Sequence, residues 1–332
     1  MFPSSQLSRS LLKCQRAVSV ALINSEIRNV LLLQRPKEHE LLPGAMVFPG
    51  GKFEITVDSE FPRKKTNWNL VEEQPLRPME LAEDYVFRVA ALRELFIQTG
   101  TLLLYSVNCR ESSIVTSKDD KALIEWKDKV KNEPTKFEEL FNKTDKLDVN
   151  LLIPWSNWLT PMGSLNRLDK LFFLAPFDNL NETFWDLEEG NMFFGHPSDI
   201  IEKNATSGLS VPIPQFYELL RIRLSHHDHL HSQISARLVL PQLIHTEDQK
   251  LGAFLFPEDQ LYLSDESEFV SARTLKESEI VPNKEIDQLR TIHRIVFQKG
   301  FVENELFLQN VPKMPFKPHL FHCNGNIYND FP

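Results

Sequence analysis

Cysteine is scarce in this chain. Cys14, Cys109 and Cys323 form no C-x-x-C pair and no spaced framework. A disulfide scaffold is therefore not indicated, and a reducing compartment is favoured. No run of 18 apolar residues occurs, so no membrane span is expected. Basic residues are outnumbered, 37 Lys and Arg against 46 Asp and Glu, for a formal net charge of −9. A general nucleic-acid binder needs a basic surface to meet phosphates, so that class is set aside. The G-x-S-x-G, P-loop and zinc-finger spacings are missing, and there is no internal repeat.

What the chain does have is material for a core. Apolar residues make up 42% of its 332 positions, with 24 Phe against five Tyr. That length suits one large domain or two small ones. An acidic protein can still bind an anionic nucleotide through a local cluster of cations. Arg35, Lys37, the Arg63–Lys65 run and Arg167 are the candidates, although the run reads first as solvated surface.

The most informative stretch is Arg93-Glu94-Leu95-Phe96-Ile97-Gln98-Thr99-Gly100-Thr101. Before it come a strand-like run, Val30-Leu31-Leu32-Leu33-Gln34-Arg35, and a turn with a double glycine, Leu42-Pro43-Gly44-Ala45-Met46-Val47-Phe48-Pro49-Gly50-Gly51. Glycines permit positive φ and close backbone approach, which suits a loop beside a phosphate. Together these segments resemble the signature of the Nudix hydrolases, which cleave nucleoside diphosphates linked to another moiety. That pattern is G-x5-E-x7-R-E-U-x-E-E-x-G-U, with U a bulky aliphatic residue. Gly51, Arg93, Glu94, Leu95 and Gly100 fit it. Ile97 and Gln98 replace its paired glutamates, and Val57 or Tyr85 falls where its upstream glutamate belongs. Gly51 and Arg93 are 42 positions apart instead of 14, so an insertion of 28 residues, which reads as a surface excursion, splits the box.

Further segments resemble a branch of that family that cleaves coenzyme A. They are Trp155-Ser156-Asn157-Trp158-Leu159-Thr160-Pro161, Arg167-Leu168-Asp169-Lys170-Leu171-Phe172-Phe173, Pro214-Gln215-Phe216-Tyr217-Glu218-Leu219 and Phe256-Pro257-Glu258-Asp259-Gln260-Leu261-Tyr262. The likeness spans residues 17–297. Lys170, where the branch favours Thr, and Glu258, where it favours Gly, depart from it.

On a helix, positions 94, 97 and 98 share a face. Three glutamates there would hold Mg2+ or Mn2+ against a pyrophosphate. Here Glu94 alone is anionic. Gln98 offers a neutral carbonyl oxygen, and Ile97 suits packing in an apolar stripe. Glu54 is the acid placed to help, because its loop can fold back, although it reads more readily as a surface acid. Glu83 is about three helical turns from Glu94, too far to share one ion. The resemblance thus implies Glu94 as catalytic residue and Glu94, Gln98 and Glu54 as metal ligands. It implies Arg35, Gly50, Gly51 and Arg167 as substrate contacts. The ligand would be a small nucleoside diphosphate derivative, above all coenzyme A or an acyl-CoA. Two readings stay open: a hydrolase with impaired turnover, or an inactive protein that binds the same ligand. Glu94 itself reads equally as the partner of a neighbouring cation.

The expected fold is α/β, a Nudix α/β/α sandwich with a mixed sheet and helical insertions. Residues 1–16 read as a leader, 17–297 as the domain with insertions at 52–78 and 115–150, and 298–332 as an extended tail. Ala17–Ile23 and Asn29–Gln34 read as paired strands. Met79–Thr99 reads as a helix capped by Gly100, and Leu168–Ala175 as a strand after a Trp-rich loop. Helices are expected from Phe216 and near Ile286–Val296. The His226–His231 segment, with four histidines, reads as a solvated helix end rather than a Zn2+ site. Arg9, Lys13 and Arg16 without an acid before Glu26 give a mitochondrial-presequence composition. The last residues lack a peroxisomal signal, although the branch is associated with peroxisomes. An intracellular protein, mitochondrial or cytoplasmic, is expected.

Overall fold

The computed structural model describes residues 14–39, 42–71, 81–117, 119–161, 167–177, 191–224, 237–263, 272–283 and 290–310. The leader before residue 14, the His226–His231 segment, Cys323 and the tail beyond residue 310 lie outside them. Strands β1 (Gln15–Asn24), β2 (Val30–Gln34) and β3 (Met46–Val47) come first. Helix α1 (Ile55–Asp58) lies in the first insertion, and α2 (Leu81–Thr99) carries the box. There follow β4 (Leu102–Ser106), β5 (Glu111–Val115), α3 (Ala122–Asn132), a 3-10 helix at Pro134–Leu140, and β6 (Asp145–Leu147). Next are β7 (Ile153–Leu159), β8 (Leu168–Phe177), β9 (Met192–Gly195), α4 (Pro197–Ser207) and α5 (Ile213–Leu224). The described chain ends with β10 (Arg237–Val239), β11 (Gln242–His245), β12 (Leu251–Leu255), β13 (Arg273–Thr274), α6 (Glu277–Ile280), β14 (Ile292–Gln298) and β15 (Val302–Gln309).

Among the described residues the main sheet runs β10-β7-β8-β1-β2-β3, with β9 also on β2. It is mixed. β1 and β8 pair in parallel from Gln15↔Leu168 to Asn24↔Phe177, whereas β2 and β7 run antiparallel to their neighbours β1 and β8. Side chains alternate between the two faces. Val18, Val20, Leu22, Leu31, Leu171 and Phe173 pack against α2, α3 and the Pro134–Leu140 turn. Ala21, Ile23, Val30, Leu32, Phe172 and Leu174 pack against α4 and α5. Each buried Leu, Ile or Phe stabilises by about 1.5–3 kcal/mol, so both faces demand a cover. The α/β/α sandwich follows from that alternation. A second sheet, β13-β11-β12-β14-β15, joins the α4–α5 side through Phe256, Ile295 and Leu306. Buried Asp259 and Arg294 tie it together, Nε and Nη2 each at 2.8 Å from a carboxylate oxygen.

Helix α2 forms where the sequence is free of Gly and Pro. It stops at Gly100, which has φ +70° and donates its N–H to Phe96 O at 2.7 Å. That left-handed cap is the one the sequence suggests.

Four expectations need correction. The Trp-rich segment is strand rather than loop, because Ser156, Asn157, Trp158 and Leu159 pair with β8. Residues 292–296, the described part of the helix expected near Ile286–Val296 apart from 290–291, lie in β14; Ile292, Ile295 and Val296 are β-branched and buried between β12 and β15. Residues 302–309, assigned to the tail, form β15, with Asn304 and Leu306 buried at period two. The first insertion is more than a surface excursion: its Phe61, Thr66 and Asn67 are buried.

The tryptophans also explain the Phe216–Leu219 motif. Buried Glu218 accepts hydrogen bonds from Trp155 Nε1 at 2.6 Å, Trp158 Nε1 at 2.7 Å, Ser156 Oγ at 2.8 Å and Arg221 Nη1 at 2.9 Å. A register shift between Pro154 and Ser156 lets adjacent residues of β7 reach one carboxylate. We predict that Glu218→Gln, which swaps one acceptor for a donor, destabilises the fold by about 3–5 kcal/mol in urea unfolding. A loss below about 1 kcal/mol would show that Glu218 does not pin β7 to α5.

Candidate active site

The Gly50–Gly51 loop runs beside β1 as an extra rung. Val18 N–H donates to Gly51 O at 2.9 Å, and Val20 N–H to Pro49 O at 2.8 Å. Gly50 has φ +156°, and a Cβ there would lie 2.1 Å from Val18 O. A Cβ on Gly51 would lie 2.1 Å from Glu94 Oε2. The first glycine lets the loop touch the strand, and the second makes room for the carboxylate of α2.

Gln98, one turn beyond Glu94, latches this loop. Its Nε2 donates to Gly50 O at 2.7 Å, and its Oε1 accepts from Gly50 N–H at 2.9 Å. Nε2 also lies 3.3 Å from Glu94 Oε2. The oxygen expected to face a metal faces a peptide N–H. A carboxylate here could not donate, and it would add negative charge beside Gly50 O and Glu94.

Glu94 Oε1 accepts from Arg93 Nη1 at 2.7 Å. Arg93 is 1% exposed and also makes a two-pronged pair with Asp58, Nε–Oδ1 at 2.7 Å and Nη2–Oδ2 at 3.1 Å. Such charge-assisted forks fix geometry as well as energy. Burial opposes the Arg93 charge, but Asp58, Glu94 and Glu54 outweigh it and push its pKa up. For Glu94, burial pushes the carboxyl pKa above 4.5, against the pull of Arg93.

Asp58 is the residue that motif matching misses. The pattern asks for an acid six residues after Gly51, which is Val57; the acid stands one residue later. It is fully buried in α1 and also accepts from Glu54 N–H at 2.8 Å. Behind the Asp58–Arg93 pair is a cavity of ≈ 250 Å³ walled by Val57, Phe61, Val89 and Phe137, so both insertions enclose the box. Ile97 is half-buried and packs against the core under α2.

Among the described residues, no three His, Cys, Asp or Glu side chains converge as a cation cage. Asp58 is committed to Arg93. Glu94 remains, with Glu54, whose Oε1 lies 3.8 Å from the same Arg93 Nη1 and whose side chain is 47% exposed. Two carboxylates do not make a self-contained site. They do fit a hard divalent cation that takes its other ligands from phosphate and water, and Glu94 and Glu54 would hold it. The other candidates stand apart from this knot. Arg35 is half-buried beside Lys170. Arg167 heads β8, its Nε donating to Thr160 O at 3.2 Å. Lys37 is exposed, and Arg63 lies over the ring of Tyr85 at 4.4 Å.

The helix and the sheet around it have counterparts elsewhere. Residues 56–222 match the profile of the NUDT19 Nudix domain. The chain belongs to that family. Its relatives include the acyl-coenzyme A diphosphatase NUDT19 of Xenopus laevis, 29% identical over 71% of this chain and 73% of that one. The human protein of the same name is 28% identical over 81% and 82%. A Nudix hydrolase of Alicyclobacillus acidocaldarius shares the fold, with TM-score 0.51 and 19% identity over 66% of this chain and 96% of that one. No helix among the described residues is long and apolar enough to cross a membrane.

The Gln98 latch yields a prediction opposite to motif repair. Gln98→Glu should destabilise the protein by about 2 kcal/mol at pH 7. A protonated Glu restores one donor and one acceptor, so its folded pKa lies above the unfolded value of about 4.3. The deficit relative to the native protein should be absent below about pH 4 and grow as pH rises, levelling once the folded group ionises. Urea unfolding of both proteins from pH 4 to 7 measures it; a pH-independent difference would contradict the latch.

Proposed function

We propose that this chain is a slow hydrolase of the pyrophosphate in coenzyme A or an acyl-CoA. The observation that supports this most is the Gly51–Glu94 fit. The loop gives up a side chain so that one carboxylate stands at its surface, oriented by a buried arginine. The names of the relatives supply the substrate class. Glu94 is the proposed catalytic carboxylate, with Glu54 beside it as second ligand. The glycine backbone gives a phosphate close approach, and Arg35 and Arg167 hold the ligand's negative charge. A bound Mg2+ or Mn2+ would neutralise phosphate oxygens and lower the pKa of a water. Arg93 keeps Glu94 turned toward the loop, and Asp58 keeps Arg93 charged.

Turnover is slow in this reading because Ile97 and Gln98 contribute no negative charge. The packing of Ile97 against the core also favours a second reading, in which the cleft binds its ligand without cleaving it.

Single-turnover hydrolysis of coenzyme A with excess protein and Mg2+ or Mn2+ separates the two. We expect slow cleavage, reduced about 100-fold or more in Glu94→Gln. Coenzyme A that binds but is never cleaved would establish the second reading.

A further inference from the structure

The cavity behind the Asp58–Arg93 pair differs in chemistry from the cleft in front of it. It holds ≈ 250 Å³ between α1, α2 and the Pro134–Leu140 turn. Val57, Phe61, Val89 and Phe137 make an apolar wall. Phe61 and Phe137 have ring centres 5.8 Å apart, and each also meets Phe141 edge-on. Those contacts hold the aromatic wall in place. Glu60 and Thr135 are exposed at the rim, so that end opens to water. An apolar cavity of about 150 Å³ is enough to bind benzene.

The floor adds no net charge. Asp58 and Arg93 neutralise each other, and the Asp58 oxygens are taken by Arg93 and by Glu54 N–H. The rim adds two acids, Glu60 and Glu138, and no cation lines the cavity besides Arg93. Among the described residues Glu60 has no ion-pair partner. Glu138 has Lys65, whose Nζ is 3.9 Å from the carboxylate and donates instead to the Glu138 carbonyl at 2.8 Å. The cavity is thus apolar within and negative at its mouth. Phosphates are repelled there, and an ammonium is attracted.

We infer that this cavity is a second binding site, for a small primary amine with an aromatic or branched apolar body. The body displaces water from the Phe61–Phe137 wall, and the ammonium meets the carboxylates of the rim. The site goes beyond the proposed hydrolysis and does not rest on it, because it needs neither a divalent cation nor a phosphate. The two insertions that enclose the box are what build it.

The test is a ligand-observed NMR titration of the whole protein with 2-phenylethylammonium, with 3-phenylpropionate as the anionic counterpart. The amine should bind with a Kd of about 1 mM or tighter, and the anion at least about tenfold more weakly. Thr135→Trp, which sets an indole at the open rim, should weaken the amine about tenfold or more. Glu60→Gln should weaken it about threefold. Glu125→Gln, on the exposed side of α3, should change nothing. Equal affinity for the two ions would overturn the inference, as would an amine Kd above about 10 mM. So would an unchanged Kd in either rim variant, or an equal loss in Glu125→Gln. Coenzyme A should leave the amine bound; displacement would put the amine in the hydrolytic cleft and remove the second site.

Discussion

The Arg93 guanidinium is the constraint around which the box is assembled. It is buried in the middle of α2, where an unpaired charge would cost several kcal/mol. Asp58 meets two of its nitrogens and Glu94 a third. That one need accounts for much else. It folds α1 back onto α2, so a long insertion becomes part of the site. It aims Glu94 at the loop, where Gly51 makes room for it. It also draws Glu54 toward the same nitrogen.

A neutral amide completes the assembly. Several carboxylates crowded on one helix face would repel each other unless a cation held them. Here Gln98 fastens the loop through both hydrogen bonds of a single residue, Gly50, and Ile97 joins the core. The junction is therefore held together by its own groups. It needs no cation to form. The opposite face follows the same logic at Glu218, where four donors answer one buried charge.

Motifs and alternation made the sandwich legible. β1, β2, α2 with its Gly100 cap, and β8 lie within a few residues of where their patterns place them. The Gly50, Gly51, Glu94 and Gln98 grouping was legible because loop and helix are joined in the motif itself. Asp58 was hidden because it lies one residue out of register in an insertion, where position is set by the three-dimensional path. The role of Gln98 was hidden because a carboxamide's identity does not say whether its oxygen meets a metal or a peptide. β14 was misread because Ile292, Ile295 and Val296 also fit a helical spacing, and only the flanking strands β12 and β15 decide between them.

The most direct test of this account is calorimetric titration of Mn2+ into the ligand-free protein. A site with two available carboxylates and a neutral latch should show no binding tighter than about millimolar. Stoichiometric micromolar binding that disappears in Glu94→Gln would contradict it, because it would mean that the protein alone supplies a complete metal shell.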